Sequence, residues 1–207
     1  MIEAVTIDGP AGDLEGRLER PETGSRGAAL LCHPHPRFGG SLDDAVLSCA
    51  AAACRTAGLA SLRFNFRGVG ASAGRFDEGI GEQDDALASA RWLTQRVQGP
   101  LWLVGYSFGA WVLWHAAPRM AATVGPCALI LIAPPMDVMP FSRDGPSALP
   151  VHAWIGDQDA FAAAGTVRDR LAVLAPPGRT QVVTGADHFF TGRLAALEGA
   201  LGESFTA

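Results

Sequence analysis

Gly105-Tyr106-Ser107-Phe108-Gly109 follows the apolar run Leu101-Trp102-Leu103-Val104 and leads into Ala110-Trp111-Val112-Leu113-Trp114. A serine set between a strand and a helix, with glycine two residues to either side, has the pattern of a nucleophile elbow. Such a turn holds its serine in a strained backbone conformation, and the glycines let strand and helix approach where side chains would clash. Ser107 is therefore the candidate nucleophile of an acyl-transfer reaction. The N–H of Phe108, at the helix N-terminus, is the first expected donor to an oxyanion. Gly70-Ala71-Ser72-Ala73-Gly74 spells the same pattern but runs into Arg75-Phe76-Asp77-Glu78-Gly79, with no helix directly behind it. It is expected to be a loop.

Ser107 needs a base, and histidine titrates closest to neutral pH. Of the five histidines, His115 lies two turns along the elbow helix and cannot fold back. His152 opens a strand, at the wrong end of a sheet. His33 and His35 border a Pro-rich loop. His188 follows the last strand in the polar turn Gly185-Ala186-Asp187-His188, and is the expected base. An acid must then hold its tautomer. Adjacent side chains diverge, so Asp187 is a poor partner, whereas Asp157 and Asp159 end an earlier strand. Either of these could orient His188, and either could instead form the turn. The second oxyanion donor should come from the loop after the first buried strand, His33-Pro34-His35-Pro36. Its prolines have no N–H, which leaves the backbone of His35. A metal on Cys32, His33 and His35 is disfavoured, because neighbours in a Pro-locked loop seldom converge on one ion.

These residues require elements to carry them. Residues 2–7 and 13–19 predict two strands around Gly9-Pro10-Ala11-Gly12. The second alternates Leu14, Gly16 and Leu18 with Glu15, Arg17 and Glu19, as a half-solvated edge strand does. Ala28–Cys32 and residues 128–133 are continuous apolar runs of the kind buried on both faces of a parallel sheet. Residues 60–66, 151–155 and 181–184 predict further strands. Ser41 is expected to cap a helix that stops at Gly58. Ala86, Ala90, Leu93 and Val97 place a helix over residues 81–97, Val167, Leu171 and Leu174 another, and Leu194, Leu197 and Leu201 a last one. The sum is an α/β fold, a mostly parallel sheet of about eight strands with helices on both faces. The candidate residues all fall at strand carboxyl ends, where such sheets bind ligands.

The 207 residues fit a single domain, residues 1–207. A net charge of −5 without a basic block gives no basis for a nucleic-acid partner. The N-terminus lacks the pattern of a signal peptide, and no apolar run reaches membrane-spanning length. Cys32, Cys49, Cys54 and Cys127 show no Cys-x-x-Cys spacing and read as free thiols in a reducing cytoplasm. Neither a cofactor nor a metal is implied. The oligomeric state is left open between a monomer and a small homo-oligomer.

Taken in order, His33-Pro34-His35-Pro36 with Gly39-Gly40, Phe64-Asn65-Phe66-Arg67-Gly68-Val69-Gly70-Ala71-Ser72, the Ser107 elbow, Gly156-Asp157-Gln158-Asp159 and Gly185-Ala186-Asp187-His188-Phe189-Phe190 resemble the bacterial α/β-hydrolase superfamily. More narrowly, they resemble its small lidless esterase- or dienelactone-hydrolase-like members. The resemblance implies the α/β-hydrolase fold without a cap domain. It puts the acid on the last residue of the Gly-x-x-Asp stretch, Asp159. Ala160-Phe161-Ala162 departs from the Val-Pro-like run usual there, and Ser107 stands where dienelactone hydrolase itself carries cysteine. A serine hydrolase acting on small carboxylic esters or thioesters is expected, with Ser107, His188 and Asp159 as triad. The alternatives are a non-catalytic binding protein on the same scaffold and an acyltransferase. The short Met136–Pro150 connection leaves no material for a lid. An open, shallow site is expected, walled by Phe141 or by Phe189 and Phe190, with a preference for acyl chains of about two to six carbons.

Overall fold

In the computed structural model, residues 1–143, 145–146 and 148–205 are described. The apolar runs form strands: β1 (Ile2–Ile7), β2 (Leu14–Glu19), β3 (Ala28–Cys32), β4 (Ala60–Phe64), β5 (Leu101–Tyr106), β6 (Ala128–Ile132), β7 (Val151–Gly156) and β8 (Arg179–Val183). They make one sheet in the order β1-β2-β4-β3-β5-β6-β7-β8. β2 pairs antiparallel with both β1 and β4, and β3 to β8 run parallel. Every residue of β3, β5 and β6 is buried, as continuous apolar sequence requires of central parallel strands.

The helices are α1 (Ala45–Thr56), α2 (Ile80–Thr94), α3 (Phe108–Ala121), α4 (Ala164–Ala172) and α5 (Leu194–Ser204). Two apolar cores form, one on each face of the sheet. Leu87, Leu113 and Val167 bring α2, α3 and α4 onto one face, and Leu47, Leu197 and Leu201 bring α1 and α5 onto the other. No helix among the described residues is long and apolar enough to cross a membrane.

Two local expectations are corrected. β2 is interior, because β1 covers its outer side. Its polar residues find partners instead of solvent: buried Glu19 pairs with Arg63 of β4, and Arg17 with Asp43 at 2.5 Å. The α1 cap is Asp44, not Ser41. Residues 41–44 close a turn through Asp44 N–H to Ser41 C=O, and Asp44 Oδ1 accepts the N–H groups of Val46 and Leu47 at 2.8 and 3.2 Å. β6 connects to β7 through turns, with no helix among the described residues of that stretch.

Candidate active site

The elbow forms where β5 meets α3. Ser107 sits at φ 52°, ψ −114°, a conformation rarely adopted by residues with a Cβ, and its N–H is tied to Ile132 C=O at 2.9 Å. The flanking glycines are sterically required. A Cβ on Gly105 would lie 2.5 Å from Gly109 O, inside the helix. One on Gly109 would lie 2.2 Å from Cys32 O, at the end of β3. The two glycines thus serve different contacts, one between strand and helix, the other between helix and neighbouring strand.

Loops after β7 and β8 bring the other two groups to Ser107. His188 Nε2 lies 3.0 Å from Ser107 Oγ. His188 Nδ1 lies 2.9 and 3.1 Å from the two oxygens of Asp159, whose side chain is fully buried. Tyr106 OH donates to His188 C=O at 3.1 Å, and the Phe161 ring packs 4.3 Å from the imidazole. Asp159 Oδ1 also accepts the N–H groups of Phe161 and Ala162. The other acids are turn formers: Asp157 accepts Gly185 N–H at 2.7 Å, and Asp187 accepts those of Phe189 and Thr191. His115 is occupied within the helix region, donating to Trp111 C=O and accepting Ser142 N–H.

The N–H groups of Phe108 and His35 take part in no hydrogen bond among the described residues. His33 matters here in a way its sequence position alone does not reveal. Its imidazole is buried, with Nδ1 2.7 Å from Pro34 C=O and Nε2 3.1 Å from Phe66 N–H. A carbonyl only accepts and an amide N–H only donates, so the proton is on Nδ1 and the ring is neutral. Burial pushes its pKa down to about 4, against the raising effect of the Pro34 carbonyl. The Pro34–His35 peptide is trans and planar, so fixing its C=O toward the ring turns the His35 N–H to the opposite side. The only sequence signal for this brace is a histidine directly after a buried strand and before proline.

Ser72 is engaged elsewhere. Its buried Oγ donates to Asn65 C=O at 2.7 Å and accepts Glu15 N–H at 2.9 Å, tying the 65–74 loop to β2. Ser72→Ala leaves both groups unpaired, and is expected to lower unfolding free energy by about 1–3 kcal/mol in urea titration while keeping most catalytic activity.

A cavity of about 530 Å³ opens over Ser107 and His188. Pro34, His35, Phe38, Phe161 and Phe189 line it, together with Asp44 and Tyr106. Of the expected walls, Phe141 or the Phe189–Phe190 pair, only Phe189 lines the cavity, and the other two are corrected. Phe141 packs on Trp114 in one core and Phe190 is buried in the other, while Phe38 and Phe161 stand at the mouth.

No protein-family model matches the chain. It is 40% identical to XC6422 of Xanthomonas campestris, an α/β serine hydrolase without a lid, over 98% of this chain and 92% of that one, with a TM-score of 0.88. It is 35% identical to an α/β serine hydrolase homologue from Coxiella burnetii, over 98% and 96% of the two chains, with a TM-score of 0.85. It is also 34% identical to an uncharacterized protein, RP471, of Rickettsia prowazekii (strain Madrid E), over 90% of this chain and 81% of that protein.

Proposed function

The chain belongs to the α/β serine hydrolases without a lid, and from that footing we propose that it cleaves small carboxylic esters or thioesters through an acyl-enzyme. One observation carries this function: the unbroken path from Ser107 Oγ to His188 Nε2 and from His188 Nδ1 to Asp159. In it, Ser107 Oγ attacks the ester carbonyl while His188 Nε2 takes its proton. The N–H groups of Phe108 and His35 stabilise the oxyanion. His188 returns the proton to the leaving alcohol or thiol, and water then repeats the sequence on the acyl-Ser107. Asp159 holds the proton on Nδ1 and stabilises the imidazolium. No cofactor is needed. The four free thiols accord with a reducing, cytoplasmic setting.

The mouth of the cavity limits the acyl chain. Phe38 and Phe189 stand out in solvent, so carbons beyond their reach bury little and gain little of the roughly 0.8 kcal/mol per methylene that burial provides. Across a p-nitrophenyl ester series, kcat/KM is expected to rise to chains of about six carbons and then level off. Absence of turnover at every length would refute the esterase assignment. A steady rise to about twelve carbons would refute the size limit alone.

A further inference from the structure

Asp44 caps α1, but it also lines the cavity over Ser107 and His188, which gives it a second environment. Both cap hydrogen bonds fall on Oδ1, and no hydrogen bond or ion pair among the described residues reaches Oδ2. Its neighbour Asp43 is neutralised by Arg17. Among the described residues no arginine pairs with Asp44. The chain contains no lysine, and no arginine lines the cavity. Arg37, on the adjoining loop, is committed to Glu78 at 3.1 Å and lies over the Phe76 ring. Burial pushes the Asp44 carboxyl up in pKa, against the lowering effect of the Leu47 and Val46 N–H groups, so its charge is held in an unfavourable place. That charge reaches the cavity: after burial, Asp44 is the first of the carboxylates that push the Tyr106 phenol up.

The same cavity is also lined by aromatic rings. Phe38 is 87% exposed, Phe189 61% and Phe161 38%, although each is a large apolar side chain that folding alone would cover. Ring faces attract cations, and do so more strongly where water is partly excluded. An uncompensated carboxylate lining the same cavity repels anionic ligands and favours cationic ones.

We infer that Asp44, with the rings of Phe38, Phe161 and Phe189, selects esters that carry an organic cation, such as a quaternary ammonium, on the part of the molecule that does not react. This inference rests on the esterase reading of the same cavity. It makes Asp44 a specificity residue in addition to a helix cap.

The test compares choline butyrate with 3,3-dimethylbutyl butyrate, in which a carbon replaces the charged nitrogen. The wild-type protein is expected to favour the choline ester about tenfold in kcat/KM. Asp44→Asn keeps an oxygen for the cap and removes the charge, so the ratio should fall to within about twofold of one while the fold is retained. A ratio near one in the wild-type protein, or a preference that survives Asp44→Asn, overturns the inference. If neither these esters nor any p-nitrophenyl ester is hydrolysed, the esterase reading fails, and calorimetric titration with choline decides the inference separately. Binding that weakens about fivefold or more in Asp44→Asn supports it, whereas equal or absent binding overturns it.

Discussion

Ser107→Ala is expected to lower kcat by about 10⁶-fold and to abolish covalent labelling by a fluorophosphonate. The size of the loss follows from the geometry. Ser107 Oγ is the atom held 3.0 Å from His188 Nε2, and its removal leaves the base without a nucleophile to activate. What remains is binding and oxyanion stabilisation, which act as well on a water as the site admits. The substitution should not unfold the protein. Alanine keeps the Cβ, so the strain at φ 52° is the same in both, and the tie from the residue 107 N–H to Ile132 C=O is a backbone contact. Circular dichroism and thermal melting should therefore match the wild-type protein. Ser72→Ala provides the inverse pattern, with lower stability and retained labelling. Labelling that persists in Ser107→Ala, or turnover above roughly 1% of wild-type, would show that another nucleophile operates.

Much of this site was legible in the sequence because chain connectivity determines it. An apolar strand followed at once by Gly-x-Ser-x-Gly and a helix admits few backbone solutions, and the steric demands on Gly105 and Gly109 are met in the structure. His188 was separable from His115 and His152 because those fall on elements that cannot reach Ser107, and from His33 and His35 because these border the Pro-rich loop expected to supply a backbone donor. The choice between Asp157 and Asp159 was not separable by spacing. It depends on which carboxylate the turn consumes, and the Gly185 N–H that takes Asp157 lies in a loop far along the chain. The misreadings share this cause. β2 has the alternation of an edge strand, yet its polar side is satisfied by Arg63 and Asp43, partners distant in sequence. Phe141 and Phe190 lie beside cavity-forming stretches but turn into the two cores, whereas Phe38 turns out. Side-chain direction in a loop has no period from which to read it. The brace formed by His33 depends on a partner in the loop after β4, and a single-stretch reading of the Pro-rich loop cannot contain it.

Asp159→Asn should cost about 10⁴-fold in kcat, through the tautomer of His188. The loop itself dictates how the new amide must lie. In the native site Oδ1 accepts the N–H groups of Phe161 and Ala162 at 2.8 and 3.3 Å, and an amide NH₂ cannot replace it there. The asparagine oxygen therefore occupies the Oδ1 position, and its NH₂ takes the place of Oδ2, 2.9 Å from His188 Nδ1. That NH₂ donates at the shorter of the two Nδ1 contacts, while the retained oxygen, 3.1 Å from Nδ1, is already shared by two backbone N–H groups, so the tautomer in which Nδ1 accepts is favoured. The imidazole proton moves to Nε2, where it points at Ser107 Oγ and removes the lone pair that should receive the serine proton. The nucleophile is present and correctly placed but has no base. Loop stability should change little, because both backbone donors stay paired. Asp157→Asn supplies the control: its oxygen can still accept Gly185 N–H, and activity should stay within about fivefold of wild-type. Comparable losses in the two variants would remove Asp159 from its assigned place. The expected split, with near-equal melting temperatures and activities differing by about three orders of magnitude, would tie the effect to the His188 proton and not to the loop that carries Asp159.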